Sequence, residues 1–375
     1  MPSVGAAVGQ TQCVGTAAMV QWVKREHSKG VIDKEGLLLV PWWQSHKVGP
    51  DELGALSAAI LVVDNWRSSH AFPLNTFQVN LRKRARRIDP NTIIAQRQKR
   101  LKSVLNKLAR ESHMKLSQMH DLGGCRAIVS DVDAVDRLFA MYRGDGATLF
   151  EEEASLKCYD YIRRPKSDGY RGIHVVGRYE ATWEDQAAWN GQRIEIRLRT
   201  RLQHAFATAV ETVATFTRTP LKFGGGTSDW KRFFSLMGAS LAIREKTTRV
   251  PGVPSREAEL IAELRALTKH LSVRRLLRGW ANALRELPQQ NMSRAKWFLL
   301  AQDAAAKTIR VTGFKDRQKG TAAAAKIEQG RSDVDVVLVS VQSIKELRTA
   351  YPNYYSDTTE FLDALDASLG KRPAK

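Results

Sequence analysis

Hydrophobic and polar positions alternate most cleanly from Gln192 to Thr200 (QRIEIRLRT). Ile194, Ile196 and Leu198 share one face of the predicted strand, and Glu195, Arg197 and Arg199 share the other. One carboxylate beside two guanidiniums on a face turned from the core is a candidate site; a solvated strand with local ion pairs gives the same pattern. A turn at Asn190-Gly191 and an earlier strand, entered through DGYRGIH (168–174), precede it. Upstream, Leu101, Val104, Leu105 and Leu108 form the apolar stripe of a helix predicted from an N-cap at Asn91 to Arg110. Lys99, Ser103 and Lys107, four apart, fall on its opposite face, with Arg97 at its start. Behind Asp121 a strand is expected over Gly124–Val129. After Thr200, the stripe Leu202, Ala205, Phe206, Ala209, Val210, Val213 predicts a helix to about Arg218, with His204 and Glu211 beside the stripe in structural or catalytic roles.

Toward the N-terminus the pattern is helical: Ala17–Glu26, then Pro50 to Ser68, then Pro73 onward into RKRARR (82–87), stopped by Asp89-Pro90. Gly224–Ser228 reads as a linker, and Asp229–Glu286 as helical. The period then changes to two. Trp297–Asp303 and Lys307–Phe314 predict a hairpin, Thr321–Gln329 a helix and Asp333–Val341 a strand, with helices Ile344–Ala350 and Thr358–Leu369 around YPNYY. The expected class is α/β (α+β). Residues 1–90 are a helical N-terminal segment, 91–222 a mixed-sheet domain, 223–295 a linker and helical segment, and 296–375 a separate small α+β module.

Charge changes the picture. Lys+Arg number 59 against 39 Asp+Glu, for a net +20 and a pI near 10.0. Eleven of those cations and one acid lie between Arg82 and Arg110, so polyanions are the first partners to consider, with Arg84, Arg86 and Arg87 as a candidate RNA patch. Cys13, Cys125 and Cys158 are too scattered for a zinc site or a disulfide frame and fit reduced cytoplasmic thiols. No apolar run reaches membrane-span length, and no signal peptide is expected. His120-Asp121 lacks the further ligands of an HD phosphohydrolase. Gly144-Asp145-Gly146 is not a dinucleotide fingerprint, and no P-loop occurs.

Read in order, the chain contains RxKxxxSxxxK (97–107), an Asp before GCR, DYIxxPKxxGYRxIH (160–174) and ExRxRT (195–200). This set resembles the synthetase domain of the RelA/SpoT alarmone enzymes over about Arg97–Glu211. The resemblance implies a nucleotidyltransferase-like mixed sheet that moves the β,γ-pyrophosphate of ATP to a ribose 3′-hydroxyl with Mg²⁺. It implies ATP-phosphate binding by Arg97, Lys99, Ser103 and Lys107, and metal binding by Asp121. Tyr170 would stack on the acceptor base beside Lys166 and His174, and Glu195 would bind metal or take the hydroxyl proton. Many members have Gln where Arg197 stands.

NWRSSHAFPLNTFQ, KLSQMHDLGGCRA, TRLQHAFATAVET and AYPNYYSDT resemble toxic small alarmone synthetases fused to their antitoxin, the CapRel type of phage defence. That resemblance implies a tRNA 3′ CCA acceptor and a C-terminal domain that covers the nucleotide site through a YxxY segment (Tyr351, Tyr354) until a phage protein relieves it. The rivals are a (p)ppGpp or (p)ppApp synthetase using GTP, GDP or another free nucleotide, and a non-catalytic RNA-binding or phage-sensing protein.

Overall fold

The computed structural model describes residues 22–45, 49–143, 157–217, 228–283, 285–286, 292, 295–303, 306–330, 334–340, 344–355 and 357–370. Among the described residues three helices come first: α1 (Lys29–Ser45), α2 (Leu53–Ser69) and α3 (Ala71–Ile88). α2 follows the Pro50–Glu52 turn as the sequence predicts, with Glu52 Oε2 accepting the Gly49 amide at 2.9 Å. The helix expected over 17–26 is not seen in its described part. Residues 17–21 lie outside the described residues, and Trp22–Glu26 is irregular. α1 escapes sequence reading because Gly30, Gly36 and Pro41 look like breakers. Gly36 instead permits close packing, since a Cβ there would lie 2.9 Å from Leu116 Cδ2.

Asn91–Arg110 is not one helix. Ile93–Gln98 forms strand β1, and α4 starts only at Leu101 (Leu101–Arg110). The run Thr92-Ile93-Ile94 is stiff at χ1 and suits a pleated, half-buried surface better than a helix. Asp89 fixes the entry: its carboxylate accepts the Asn91 and Ser130 amides, each at 2.9 Å, tying the start of β1 to the end of β2 (Gly123–Val129).

Then follow α5 (Val132–Ala140), β3 (Lys157–Asp160), β4 (Ile173–Arg178), β5 (Arg193–Thr200) and α6 (Arg201–Thr217). After the expected Gly224–Ser228 linker, whose first four residues lie outside the described ones, come α7 (Ser228–Arg244), α8 (Glu257–His270) and α9 (Val273–Ala283). The C-terminal segment holds β6 (Arg285–Glu286), β7 (Trp297–Asp303), β8 (Thr308–Phe314), α10 (Arg317–Gly330), β9 (Val334–Ser340), α11 (Ile344–Ala350) and α12 (Thr359–Ser368).

The nine strands among the described residues join one mixed sheet, in the order β3-β4-β5-β2-β1-β9-β7-β8-β6. β2–β5 and β6–β8 are parallel, and the other pairs antiparallel. The register sorts the residues by face, because directly paired residues point the same way. Ile94, Cys125, Ala127, Ile173, Val175, Ile194, Ile196 and Leu198 are buried together under α3 and α5. The other face carries Arg97, Arg126, Glu195, Arg197, Arg199, His174 and Tyr159.

The C-terminal module is not separate from the first. β9 pairs with β1 through Gln96↔Ser340 and Arg97↔Val339, so one sheet runs through both. α12 enters the helical core of α6 and α7, where Phe361 packs against Phe206, Phe233 and Phe234. Burying such a ring contributes about 1.5–3 kcal/mol. Arg274 Nε donates to Asp366 at 2.6 Å, and Ser240 bonds Ser368 at 2.7 Å. Periodicity finds the strands and misses the joint, because β9 reads as a complete buried strand whichever neighbour it pairs with. Among the described residues no helix is long and apolar enough to cross a membrane.

Candidate active site

The polar face of β1, β2 and β5 forms the floor of a cleft. Asp121, at the turn into β2, receives Lys99 Nζ at 2.5 Å and Lys107 Nζ at 3.3 Å on its two oxygens. Burial pushes the Asp121 carboxyl up, and the two lysines more than offset this, bringing it down to about 2. Burial lowers the Lys99 ammonium against the attraction of Asp121. The predicted basic set thus converges on Asp121 by a different route from a single helix. Arg97 is on β1, Lys99 follows the strand, and Lys107 reaches over from α4. Ser103 stands half-buried on α4, one turn before Lys107, and is not in the wall of the cleft.

Glu195 is buried and held on both oxygens. His174 Nδ1 lies 2.8 Å from Oε1, and Arg197 Nε donates to Oε2 at 2.7 Å. Burial would raise this carboxyl, but the Arg197 charge and the His174 hydrogen bond hold it well below the usual carboxylate range. Burial also lowers the His174 imidazole, so the ring is neutral near pH 7. One tautomer satisfies the whole chain of bonds. Arg199 donates to the Tyr170 hydroxyl, Tyr170 donates to His174 Nε2 at 2.6 Å, and His174 Nδ1–H donates to Glu195. Tyr170 therefore reaches the carboxylate through one imidazole.

Its loop is fixed from behind. Gly169 has φ +85°, and a Cβ on Gly238 of α7 would lie 2.6 Å from the Gly169 Cα, so the loop lies directly on that helix. Buried Arg171 donates to the Ile162 carbonyl at 3.0 Å and to the Thr247 hydroxyl at 2.5 Å. Lys166 is exposed, its Nζ 4.5 Å from the Tyr161 ring and 5.7 Å from the Tyr170 ring.

Tyr351 enters from the C-terminal segment. It is fully buried, its hydroxyl donates to the Gln96 carbonyl of β1 at 2.7 Å, and the Arg126 guanidinium lies 4.5 Å from its ring. Burial brings Arg126 down to about 10. Tyr354, also buried, lies close enough to Arg100 to interact with its charge, and Arg100 pairs with Asp335 at 2.8 Å. Arg97, Lys99, Asp121, Arg126, Glu195, Arg197 and Tyr351 wall a common cavity of about 30 Å³. That is room for about one or two waters and not for a nucleotide.

Six cations, Arg97, Lys99, Lys107, Arg126, Arg197 and Arg199, face the two carboxylates. The surplus suits a bound polyphosphate. Sequence reading missed Arg126 as a site residue, because its place opposite Arg197 comes from the β2–β5 pairing and not from local pattern. It also missed Arg199 as the partner of Tyr170. The candidate RNA patch is not brought to the cleft. Leu74, Phe77, Leu81 and Ala85 bury α3 on the apolar face of the sheet, and Arg84 is taken up by the Met141 carbonyl and the Tyr142 ring, 4.8 Å away. Arg86 and Arg87 are exposed on that side. His204 of α6 is buried, burial lowers its imidazole, and Nε2 lies 3.3 Å from the Thr349 carbonyl, so it joins α6 to the C-terminal segment.

No cluster of three or more His, Cys, Asp or Glu able to hold a metal occurs among the described residues. Two ionised carboxylates on one cavity still fit Mg²⁺, which takes one or two protein carboxylates and completes its shell from water and substrate phosphates.

No curated protein matches the chain. In fold it is similar to a GTP pyrophosphokinase family protein from Streptococcus pneumoniae (20% identity, TM-score 0.39, 49% of this chain and 89% of that one). It is also similar to small alarmone synthetase 1 from Bacillus subtilis bound to its product pppGpp (17% identity, TM-score 0.35, 56% and 95%). Small alarmone synthetase 2 of the same organism is similar too (19% identity, TM-score 0.35, 57% and 98%). Residues 96–217 match the family described as a region found in RelA / SpoT proteins, and that span holds the whole cleft floor from Arg97 to Arg199.

Proposed function

We propose that the chain is an ATP-dependent diphosphotransferase of the RelA/SpoT type. Its acceptor is the 3′ end of an RNA, with the tRNA CCA end preferred, and its C-terminal segment holds it inactive. The observation that carries the reading is Glu195, ionised and oriented by His174 and Arg197 beside Asp121 in a cleft with excess positive charge. Arg97, Lys99, Lys107 and Arg126 bind the triphosphate, and Asp121 and Glu195 would hold the Mg²⁺ that neutralises charge on the β- and γ-phosphates. The acceptor base stacks on Tyr170, which sets the ribose near Glu195 through His174.

The 3′-hydroxyl oxygen attacks the β-phosphorus. An oxygen–phosphorus bond forms, the bond from the β-phosphorus to the bridging oxygen breaks, AMP leaves, and the hydroxyl proton passes to Glu195. A carboxylate held far below neutral pKa is a weak base. Arg197 must therefore shift from Glu195 to the phosphates as the substrate binds, which strengthens the base where the charge is developing. The net +20 supports a polymeric acceptor over a free nucleotide. Tyr351 supports autoinhibition, because it stands where the cavity needs room.

The test is incubation of the full chain and its Tyr351→Ala variant with γ-labelled ATP, Mg²⁺ and tRNA, GTP or ATP. The reading requires label on the tRNA 3′ end, stronger in the variant. Label on GTP or ATP alone reassigns the protein to (p)ppGpp or (p)ppApp synthesis. No transfer from either protein to any acceptor removes the enzymatic reading.

A further inference from the structure

Among the described residues β3 is one of the two end strands of the sheet, and it carries an exposed aromatic, Tyr159, with 40% of its surface accessible. Tyr159 pairs in register with His174, which puts it on the catalytic face. Its ring lies parallel to that of Tyr161, with centroids 6.1 Å apart and 9° between the planes. Tyr161 in turn meets Tyr170 edge-on at 5.7 Å and His174 at 5.3 Å. A run of three tyrosines therefore leads from the imidazole on Glu195 to the sheet edge. Lys166 stands over Tyr161, and Lys157, two residues before Tyr159 on the same strand face, is exposed. Neither lysine pairs with a carboxylate among the described residues.

We propose that Tyr159 and Tyr161 form a second base site, next to the Tyr170 slot. It takes the base of the nucleotide immediately 5′ of the acceptor nucleotide in a single-stranded RNA 3′ end. Lys157 and Lys166 meet the phosphate between the two. This inference rests on the RNA-acceptor reading above. A free nucleotide fills only the Tyr170 slot and leaves the outer pair unused. Protection of an open edge does not account for Tyr159, because Lys157 already supplies the charge that discourages strand addition. Aromatic platforms beside cations are the usual way to hold single-stranded nucleic acid, and they tolerate any base.

The experiment uses the full chain carrying Tyr351→Ala, with labelled ATP and an RNA oligonucleotide ending in single-stranded CCA. A second oligonucleotide lacks the penultimate base. Removing that base, or changing Tyr159→Ser, is expected to raise KM for the RNA about 5- to 100-fold, as expected for one lost base–aromatic stack. Combining the two changes should cost no more than either alone, and Tyr159→Phe should restore the loss. The inference is overturned if the intact and abasic RNAs are used equally, or if Tyr159→Ser weakens the abasic RNA as much as the intact one. If the RNA takes no label at all, the acceptor reading fails first and carries this site with it. If label appears but KM ignores both changes, only the second base site is lost.

Discussion

Two tyrosines face one cleft from opposite sides, each under an arginine. Arg199 lies 5.0 Å from the Tyr170 ring, and Arg126 4.5 Å from Tyr351. Their surroundings differ. Tyr170 is partly exposed, on a polar loop between Gly169 and Gly172, and its hydroxyl belongs to a polar relay ending at Glu195. Tyr351 has no exposed surface and packs with Ala95, Phe298, Leu347 and Tyr354, so it can leave only with its whole segment. The same ring-and-guanidinium pair thus makes a binding surface on a polar loop and a plug when it grows from a hydrophobic core.

The largest effects should come from the floor the two rings share. Asp121→Asn and Glu195→Gln should each reduce transfer by about 1000-fold, as for loss of a charge that acts at the reacting phosphate. Melting curves must accompany the assay, because Asp121→Asn also leaves Lys99 and Lys107 without their shared carboxylate. Transfer within tenfold of the parent by either folded variant would remove the assigned roles.

Next, substitutions of the two rings should have opposite signs. Tyr170→Ala should weaken acceptor use about 5- to 100-fold by removing a stacking face. Tyr351→Ala removes a hydroxyl hydrogen bond and a cation–π contact, together about 2 kcal/mol, and should raise basal transfer about 30-fold. Point variants are sharper here than deletion of 296–375. That deletion would strip β9 from β1 and Phe361 from the α6–α7 core, confounding unfolding with activation. Losses of activity in both variants would end the contrast.

Local pattern carried most of this cleft. The alternation of 192–200 placed Glu195 and Arg197, and the 160–174 motif placed Tyr170 and His174 together, as they are found. What stayed illegible was long-range pairing. Nothing local in DVDVVLV says that its partner is β1, and nothing in GYR says that Gly169 lies on Gly238 of α7, 69 residues later in the chain. The misread helix over 91–100 has a local cause: a stripe that is valid from Leu101 onward was extended back through β-branched residues, where a strand competes.

A smaller effect tests how the Tyr170 side is set electrostatically. In the substrate-free protein Arg197 holds the Glu195 carboxyl down, so in the parent the acid limb of kcat/KM, which reports that state, lies below the usual carboxylate range. Arg197→Gln leaves burial unopposed by that charge and must raise the Glu195 pKa. Because the ionised carboxylate is the active form, the variant should lose activity at a higher pH than the parent as the solution is acidified. A shift of one unit in this limb is about 1.4 kcal/mol, or tenfold in rate on the acid side. An unchanged acid limb would mean that Glu195 does not titrate in the rate-limiting step.

The smallest effect isolates one bond on the Tyr351 side. Tyr351→Phe keeps the ring, its burial and the Arg126 contact, and removes only the hydroxyl that donates to the Gln96 carbonyl at 2.7 Å. A neutral hydrogen bond of this kind is worth about 1 kcal/mol net. If the closed state excludes ATP and the open state admits it, weakening closure by that amount should raise the open fraction, and with it basal transfer, about fivefold. KM for ATP should fall by the same factor, because a rarely populated competent state weakens apparent affinity in proportion. A fivefold gain in rate with unchanged KM would place the restraint on the acceptor and not on the nucleotide. No gain in Tyr351→Phe beside a large gain in Tyr351→Ala would assign the restraint to the ring and its guanidinium. A gain as large as that of Tyr351→Ala would make the Gln96 bond itself the latch, with the aromatic core around it only a support.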